Sequence, residues 1–155
     1  GDYLTAMRSL WPQKISDHQG NWISFSDVLA YPKPIQRPNP PVYVGGQSRR
    51  GIRRAAELGD GLMVYDLATE HVEQAIEVLE IECQQLGRPP EEVKVVVGRR
   101  NEGRDAKAYE SDAKYIAECA ALGVHEVVCS PRFPLVSWFD DMSRYASAIE
   151  LLSTT

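Results

Sequence analysis

Apolar residues recur along this chain in two alternating patterns. Short, largely β-branched runs at Val42 to Val44, Leu62 to Tyr65, Val93 to Val97 and Glu126 to Cys129 predict strands. Between them, apolar positions fall at helical spacing. Ile52, Ala55 and Ala56 share one face after Ser48, a residue suited to an N-cap, and Gly59 ends that helix. Thr69 is read as the cap of a longer helix with Val72, Ala75, Ile76, Leu79, Cys83 and Leu86 in one stripe. Gly87 terminates it, and Pro89-Pro90 forbid its continuation. Ala113, Ile116, Ala117 and Ala120 line a third helix, from Asp105 or Ser111 to Leu122, closed by Gly123. Ser137 is expected to cap a last one, with Phe139, Met142, Tyr145, Ala146, Ile149 and Leu152 facing inward. Short apolar strands of this kind are expected to be covered on both faces. The alternation predicts a parallel sheet with right-handed crossovers. The fold class over residues 41–155 is therefore α/β, with four consecutive βα units, half of a TIM (β/α)8 barrel.

Upstream, Tyr3, Leu4, Met7 and Leu10 predict a helix over residues 2–11 that Pro12 stops. Residues 12–40 form a long proline-rich connection in which Asn21 to Phe25 alternates like a short strand or hairpin arm. A connection of this length is often functional, with a packed surface loop carrying aromatic anchors as the alternative. The polar segments Arg99 to Asp105 and Ser130 to Pro134 read as loops.

Composition narrows the function classes. A chain of 155 residues, 43% hydrophobic and 25% charged, is one ordinary globular domain, here a partial barrel over 1–155. No apolar run approaches the roughly 20 residues of a membrane helix, and no signal-peptide pattern opens the chain, so no membrane partner is expected. Gly1 in place of Met is expected of a tag remnant or a cut from something longer. A net charge of −5 opposes nucleic acid as a partner. Cys83, Cys119 and Cys129 are widely spaced and lack any CxxC pairing. They read as buried free thiols in a reducing, cytoplasmic compartment, with no metal site.

The chemistry concentrates at Gly45-Gly46-Gln47-Ser48, which follows the first strand of the sheet and opens a helix carrying Arg49, Arg50, Arg53 and Arg54. Paired glycines let backbone approach a ligand closely, and a helix N-terminus favours phosphate. A plain tight turn and a solvated basic face are the alternatives. Asp60-Gly61 enters its strand at the amino end and takes a turn role, whereas Tyr65-Asp66 leaves the carboxyl end and supplies a second wall. Arg99, Arg100, Asn101 and Ser130 also face the carboxyl end, in solvated loops. His71 and His125 are expected away from that end, and His18 in the long loop, so no catalytic residue is assigned.

These residues carry a family resemblance. Pro32 to Pro38, Pro41 to Ser48, Arg54-Ala55-Ala56 and Gly59-Asp60-Gly61, preceded by Gly20-Asn21-Trp22 and Phe25, resemble the bacterial-luciferase-like monooxygenases and their F-420-dependent relatives. The likeness is dense over about residues 10–65 and looser to Cys129, with Gly123-Val124 also matching. It implies a (β/α)8 barrel and an FMN or F-420 phosphate held near Gly45, Gly46, Gln47 and Ser48. It also implies reductive dioxygen activation or hydride transfer on a small-molecule substrate. A full barrel of this type takes ~250 residues, so the chain is expected to be the later half, inactive alone. It would homodimerise or pair with a missing N-terminal half. A non-catalytic half-barrel scaffold and a barrel enzyme acting on a phosphorylated small molecule stand as the other readings.

Overall fold

The computed structural model describes residues 1–101 and 106–131, together with Ser143. Helix α1 (Asp2–Leu10) leads into an antiparallel hairpin, β1 (Ser16–Gln19) and β2 (Ser24–Val28). Asp2 ties the two together. Its carboxylate accepts from the Trp22 and Ile23 N–H groups at 2.6 and 3.1 Å and meets His18 Nε2 at 2.9 Å. Lys33 Nζ donates to the Leu10 carbonyl at 2.7 Å, where α1 leaves carbonyls without helical donors.

Then follow β3 (Tyr43–Gly45), α2 (Arg49–Leu58), β4 (Gly61–Tyr65), α3 (Thr69–Gln85), β5 (Lys94–Asn101), α4 (Ala106–Ala121) and β6 (Glu126–Pro131). The four later strands form one sheet in chain order, each pair parallel. Register is set by burial. Leu62, Val64, Val95 and Val97 point to one face, where Ile52, Ala55 and Ala56 of α2, Val72, Leu79 and Cys83 of α3, and Tyr115 and Cys119 of α4 close over them. Fully burying each Val or Leu contributes about 1.5–3 kcal/mol, so this one-sided layer holds the helices against the sheet. Gly87 and Gly123 leave α3 and α4 with φ of 67° and 82°, a left-handed turn that glycine adopts without strain.

The opposite face departs from the expectation of cover on both sides. Tyr43, Tyr65 and Val128 are exposed there. Each tyrosine lies over a glycine of the next strand, Tyr43 over Gly61 and Tyr65 over Gly98, its register partner. A Cβ on Gly61 would stand 2.2 Å from the Tyr43 ring, and one on Gly98 would stand 2.4 Å from the Tyr65 ring.

Other departures are local. The residues after Pro12 include the hairpin, and β1 escaped prediction because Ser-Asp-His-Gln has no apolar alternation; backbone pairing makes it a strand. Arg99 to Asn101 extend β5 where a solvated loop was expected, because their backbone pairs with Cys129 to Pro131. For the same reason Ser130 lies in β6. The N-cap of α3 is Ala68, with no side-chain cap, and Thr69 is the first helical residue. The helix expected after Ser137 and the loop at 102–105 lie outside the described residues.

Candidate functional site

The turn after β3 is shaped by two glycines in contact. Gly46 continues the ladder, its N–H donating to the Met63 carbonyl at 3.1 Å. A Cβ on Gly46 would stand 3.1 Å from the Gly51 Cα, and a Cβ on Gly51 would stand 3.1 Å from the Gly46 Cα. The turn therefore lies flat on the first turn of α2. Gly51 escaped the sequence reading, although a glycine just inside a helical pattern signals close backbone approach. Ser48 is the N-cap, as predicted, in extended conformation (φ −79°, ψ 151°), and its Oγ accepts from the Gly51 N–H at 3.3 Å. The Arg49 and Arg50 N–H groups remain without intrahelical acceptors, as the first helical positions must. The space in front of Gly45 is open, since a Cβ there would meet nothing within 4 Å.

The second wall is tied to the first. Gln47 Nε2 donates to the Tyr65 carbonyl, joining the carboxyl ends of β3 and β4. The Tyr65 hydroxyl reaches the Met63 sulfur at 3.1 Å. Asp66 adopts a left-handed conformation, φ 49°. Its N–H donates to the Gly98 carbonyl at 2.8 Å, and its Oδ1 accepts from the Arg100 N–H at 2.7 Å. This carboxylate is thereby committed to holding the exits of β4 and β5 together. All six residues singled out from the sequence, Gly45, Gly46, Gln47, Ser48, Tyr65 and Asp66, thus gather at one end of the sheet. A cavity of about 190 Å³ beside them is lined by Met63, Tyr65, Asp66, Gly98, Arg99, Arg100 and Val128.

The basic cluster divides. Arg49 Nε donates to Glu82 Oε1 at 2.7 Å, and Arg53 Nη1 lies 3.5 Å from Glu82 Oε2. Glu82, on α3, is only 1% exposed. Arg50 and Arg54 are exposed. At the far end of the sheet Asp60 accepts from the Val42 N–H at 2.7 Å and pairs with Arg8 at 3.2 Å, the turn role assigned to it. Arg88 closes α2 from outside, its Nη1 donating to the Ala56 and Gly59 carbonyls at 2.8 and 2.9 Å.

Arg99 faces α4. It bonds Asp112 Oδ1 and, at 3.2 Å, Ser111 Oγ, and its guanidinium stacks 4.1 Å from the Tyr115 ring centre. The Tyr115 hydroxyl donates to the Leu67 carbonyl at 2.7 Å, and burial pushes its pKa up. Burial likewise raises the Cys83 and Cys119 thiols, which are free and inert in these surroundings. His125 Nδ1 accepts from the Val95 N–H at 3.2 Å. His71 corrects the sequence reading. It lies in the first turn of α3, on the carboxyl-end side, and lines a cleft with Gln47 and Arg49. Among the described residues no three His, Cys, Asp or Glu side chains come together as a metal site. No described helix is long and apolar enough to cross a membrane.

Comparison with known proteins bears on family and fold. An FMNH2-dependent dimethylsulfone monooxygenase of Pseudomonas putida is 26% identical over 76 residues, 49% of this chain and 21% of that protein. A pyrimidine monooxygenase, RutA, of Allorhizobium ampelinum is 37% identical over 59 residues, 38% of this chain and 16% of that protein. Among solved structures, an F-420-dependent secondary alcohol dehydrogenase bound to an F-420–acetone adduct superposes with a TM-score of 0.72 at 18% identity. It covers 94% of this chain, and this chain covers 59% of it. Riboflavin lyase with modified FMN and riboflavin also gives a TM-score of 0.72, at 10% identity over 96% of this chain and 56% of that one. The chain thus spans well under two thirds of these relatives. The family model for luciferase-like monooxygenases matches residues 1–121, and the chain belongs to that family.

Proposed function

We propose that this chain is the cofactor-phosphate-binding later half of a luciferase-like flavin- or F-420-dependent oxidoreductase. The observation that carries the reading is the open N-terminus of α2 at the carboxyl end of β3. There Gly46 and Gly51 touch, and the Ser48 hydroxyl keeps its proton for an outside acceptor. The donor set fits a phosphate: the Arg49 and Arg50 N–H groups, the Ser48 hydroxyl and the dipole end of a helix. An exposed helix dipole adds only about 0.3–1 kcal/mol. Each hydrogen bond to a charged group adds about 1.5–3 kcal/mol, so the directed donors carry the affinity. Gln47 and Asp66 act as struts that hold the two walls, and Tyr65 contributes its carbonyl and a half-exposed ring. When bound, a reduced flavin supplies electrons to activate dioxygen, and a deazaflavin supplies hydride. Either cofactor presents a phosphate to such a turn, and the family relatives are named for both.

The exposed face at Tyr43, Tyr65 and Val128 supports a half-barrel that packs on a second copy or on a complementary N-terminal half. Turnover of a small-molecule substrate is assigned to that assembly and not to this chain by itself. Titration with FMN and with riboflavin, which lacks the phosphate, tests the site. FMN is expected to bind more tightly, and Gly46→Asp to abolish binding, because its Cβ would stand 3.1 Å from the Gly51 Cα and push the turn off the first turn of α2. FMN affinity unaffected by Gly46→Asp would refute the placement, and no interaction with either compound selects the scaffold reading. Sedimentation tests the homodimer, which a monomer at high concentration excludes.

A further inference from the structure

We propose that Glu82 is a specificity-determining positioning residue that withholds the Arg49 guanidinium from the phosphate turn, so that Arg49 offers the turn its backbone N–H and not its charge. The inference rests on the cofactor-phosphate reading of Gly45 to Ser48. Arg49 is the first residue of α2, and its own N–H is one of the open donors. From that position a guanidinium can fold back over the helix N-terminus and pair with any anion there. It turns away instead and donates to Glu82 Oε1 at 2.7 Å, across to α3.

The holding partner is the buried one. The Glu82 side chain is 2% exposed, whereas those of Arg49 and Arg53 are 69% and 57% exposed. A carboxylate this buried is strongly disfavoured without a cation. Its Oε2 accepts no hydrogen bond among the described residues and has only the Arg53 guanidinium at 3.5 Å. Among the described residues Arg49 is therefore the one firm hydrogen-bonding partner of the Glu82 carboxylate, and releasing it would strand the charge. The phosphate end of a ligand then meets the Arg49 N–H and the Ser48 hydroxyl without the Arg49 charge. Such a site reads phosphate by hydrogen-bond geometry. It depends less on salt, and favours free polyanions less, than a turn onto which Arg49 is released.

The test is titration of the whole chain with inorganic phosphate and with FMN at low and high salt, comparing the native protein, Glu82→Gln and the double variant Glu82→Gln/Arg49→Gln. Glu82→Gln preserves shape and frees Arg49. Phosphate affinity is expected to rise on the order of tenfold, the effect of one added charged hydrogen bond. The salt dependence should steepen, and both changes should vanish in the double variant. A Glu82 that merely braces the fold would give weaker binding in Glu82→Gln, and that result, or an unchanged affinity, overturns the proposal. Native chain that binds FMN while Glu82→Gln changes nothing leaves the cofactor reading intact and removes this inference. Native chain that fails to bind removes the cofactor reading, and this inference with it, even where Glu82→Gln binds through Arg49. Binding by neither removes both. If Glu82→Gln does not fold by circular dichroism, Arg49→Gln alone decides: affinity within twofold of native supports the proposal, and a tenfold loss makes Arg49 a direct ligand and overturns it.

Discussion

Gly51→Ala separates the stability of α2 from the shape of the turn at Gly46, the proposed phosphate site. Alanine inside a helix is favoured over glycine by about 1 kcal/mol, so propensity alone predicts a more stable protein. The added Cβ, however, stands 3.1 Å from the Gly46 Cα, 3.4 Å from the Gly46 carbonyl carbon and 3.5 Å from Ser48 Oγ. Optimal carbon contacts lie at about 3.5–4.0 Å, so the Gly46 backbone must retreat by a few tenths of an ångström. The turn is at the surface, and that retreat costs about as much as the helix gains. Net stability should change by less than about 1 kcal/mol, a Tm shift below about 2–4 °C for a chain of this size. Binding should not be spared, because the retreat misdirects the Ser48 hydroxyl and the N–H groups beside it. Losing one charged hydrogen bond of about 1.5–3 kcal/mol weakens phosphate recognition roughly tenfold or more. Thermal unfolding by circular dichroism and an FMN titration, with riboflavin as control, read the two effects apart. A raised Tm with FMN affinity unchanged would refute the claim that the Gly46–Gly51 contact shapes the site.

Two further predictions concern parts of the fold that hold the site in place. Arg88→Ala removes two hydrogen bonds to the carbonyls that end α2, at 2.8 and 2.9 Å. It should lower stability by about 2–3 kcal/mol, read as a lower urea midpoint at unchanged slope; an unchanged midpoint would remove Arg88 as the outside cap. Asp2 has its pKa lowered by the Trp22 N–H, then by His18 and the Ile23 N–H. A carboxylate depressed in the folded state stabilises it above the unfolded pKa, near 3.8, and loses that contribution as pH falls through the lower folded value. Amide exchange at Trp22 and Ile23 should therefore quicken below about pH 4 and become insensitive to pH, beyond its intrinsic chemistry, in Asp2→Asn. The same acid response in Asp2→Asn would place the cause elsewhere.

Local pattern was enough to determine the parallel α/β order, the helix ends at Gly59, Gly87 and Gly123, and the Ser48 cap, because each depends on a few neighbouring residues. It also brought Gly45 to Ser48 and Tyr65-Asp66 to one end of the sheet, since in a parallel βα array every strand exit points the same way. It went wrong where distant residues decide. The polar run Arg99 to Asn101 became strand because β6 supplied backbone partners and α4 supplied Asp112 for Arg99. The four arginines after Ser48 looked alike in sequence, yet Glu82, 33 residues beyond Arg49, pairs with Arg49 and Arg53 and not with Arg50 or Arg54. Gly51 matters only because the turn at Gly46 folds back onto it. Chain-local forces thus determined which elements form and in what order. Only the packing of α2 against its own turn and against α3 decided which groups at the turn after β3 are committed and which are left open, because contacts between elements are what commit a charge.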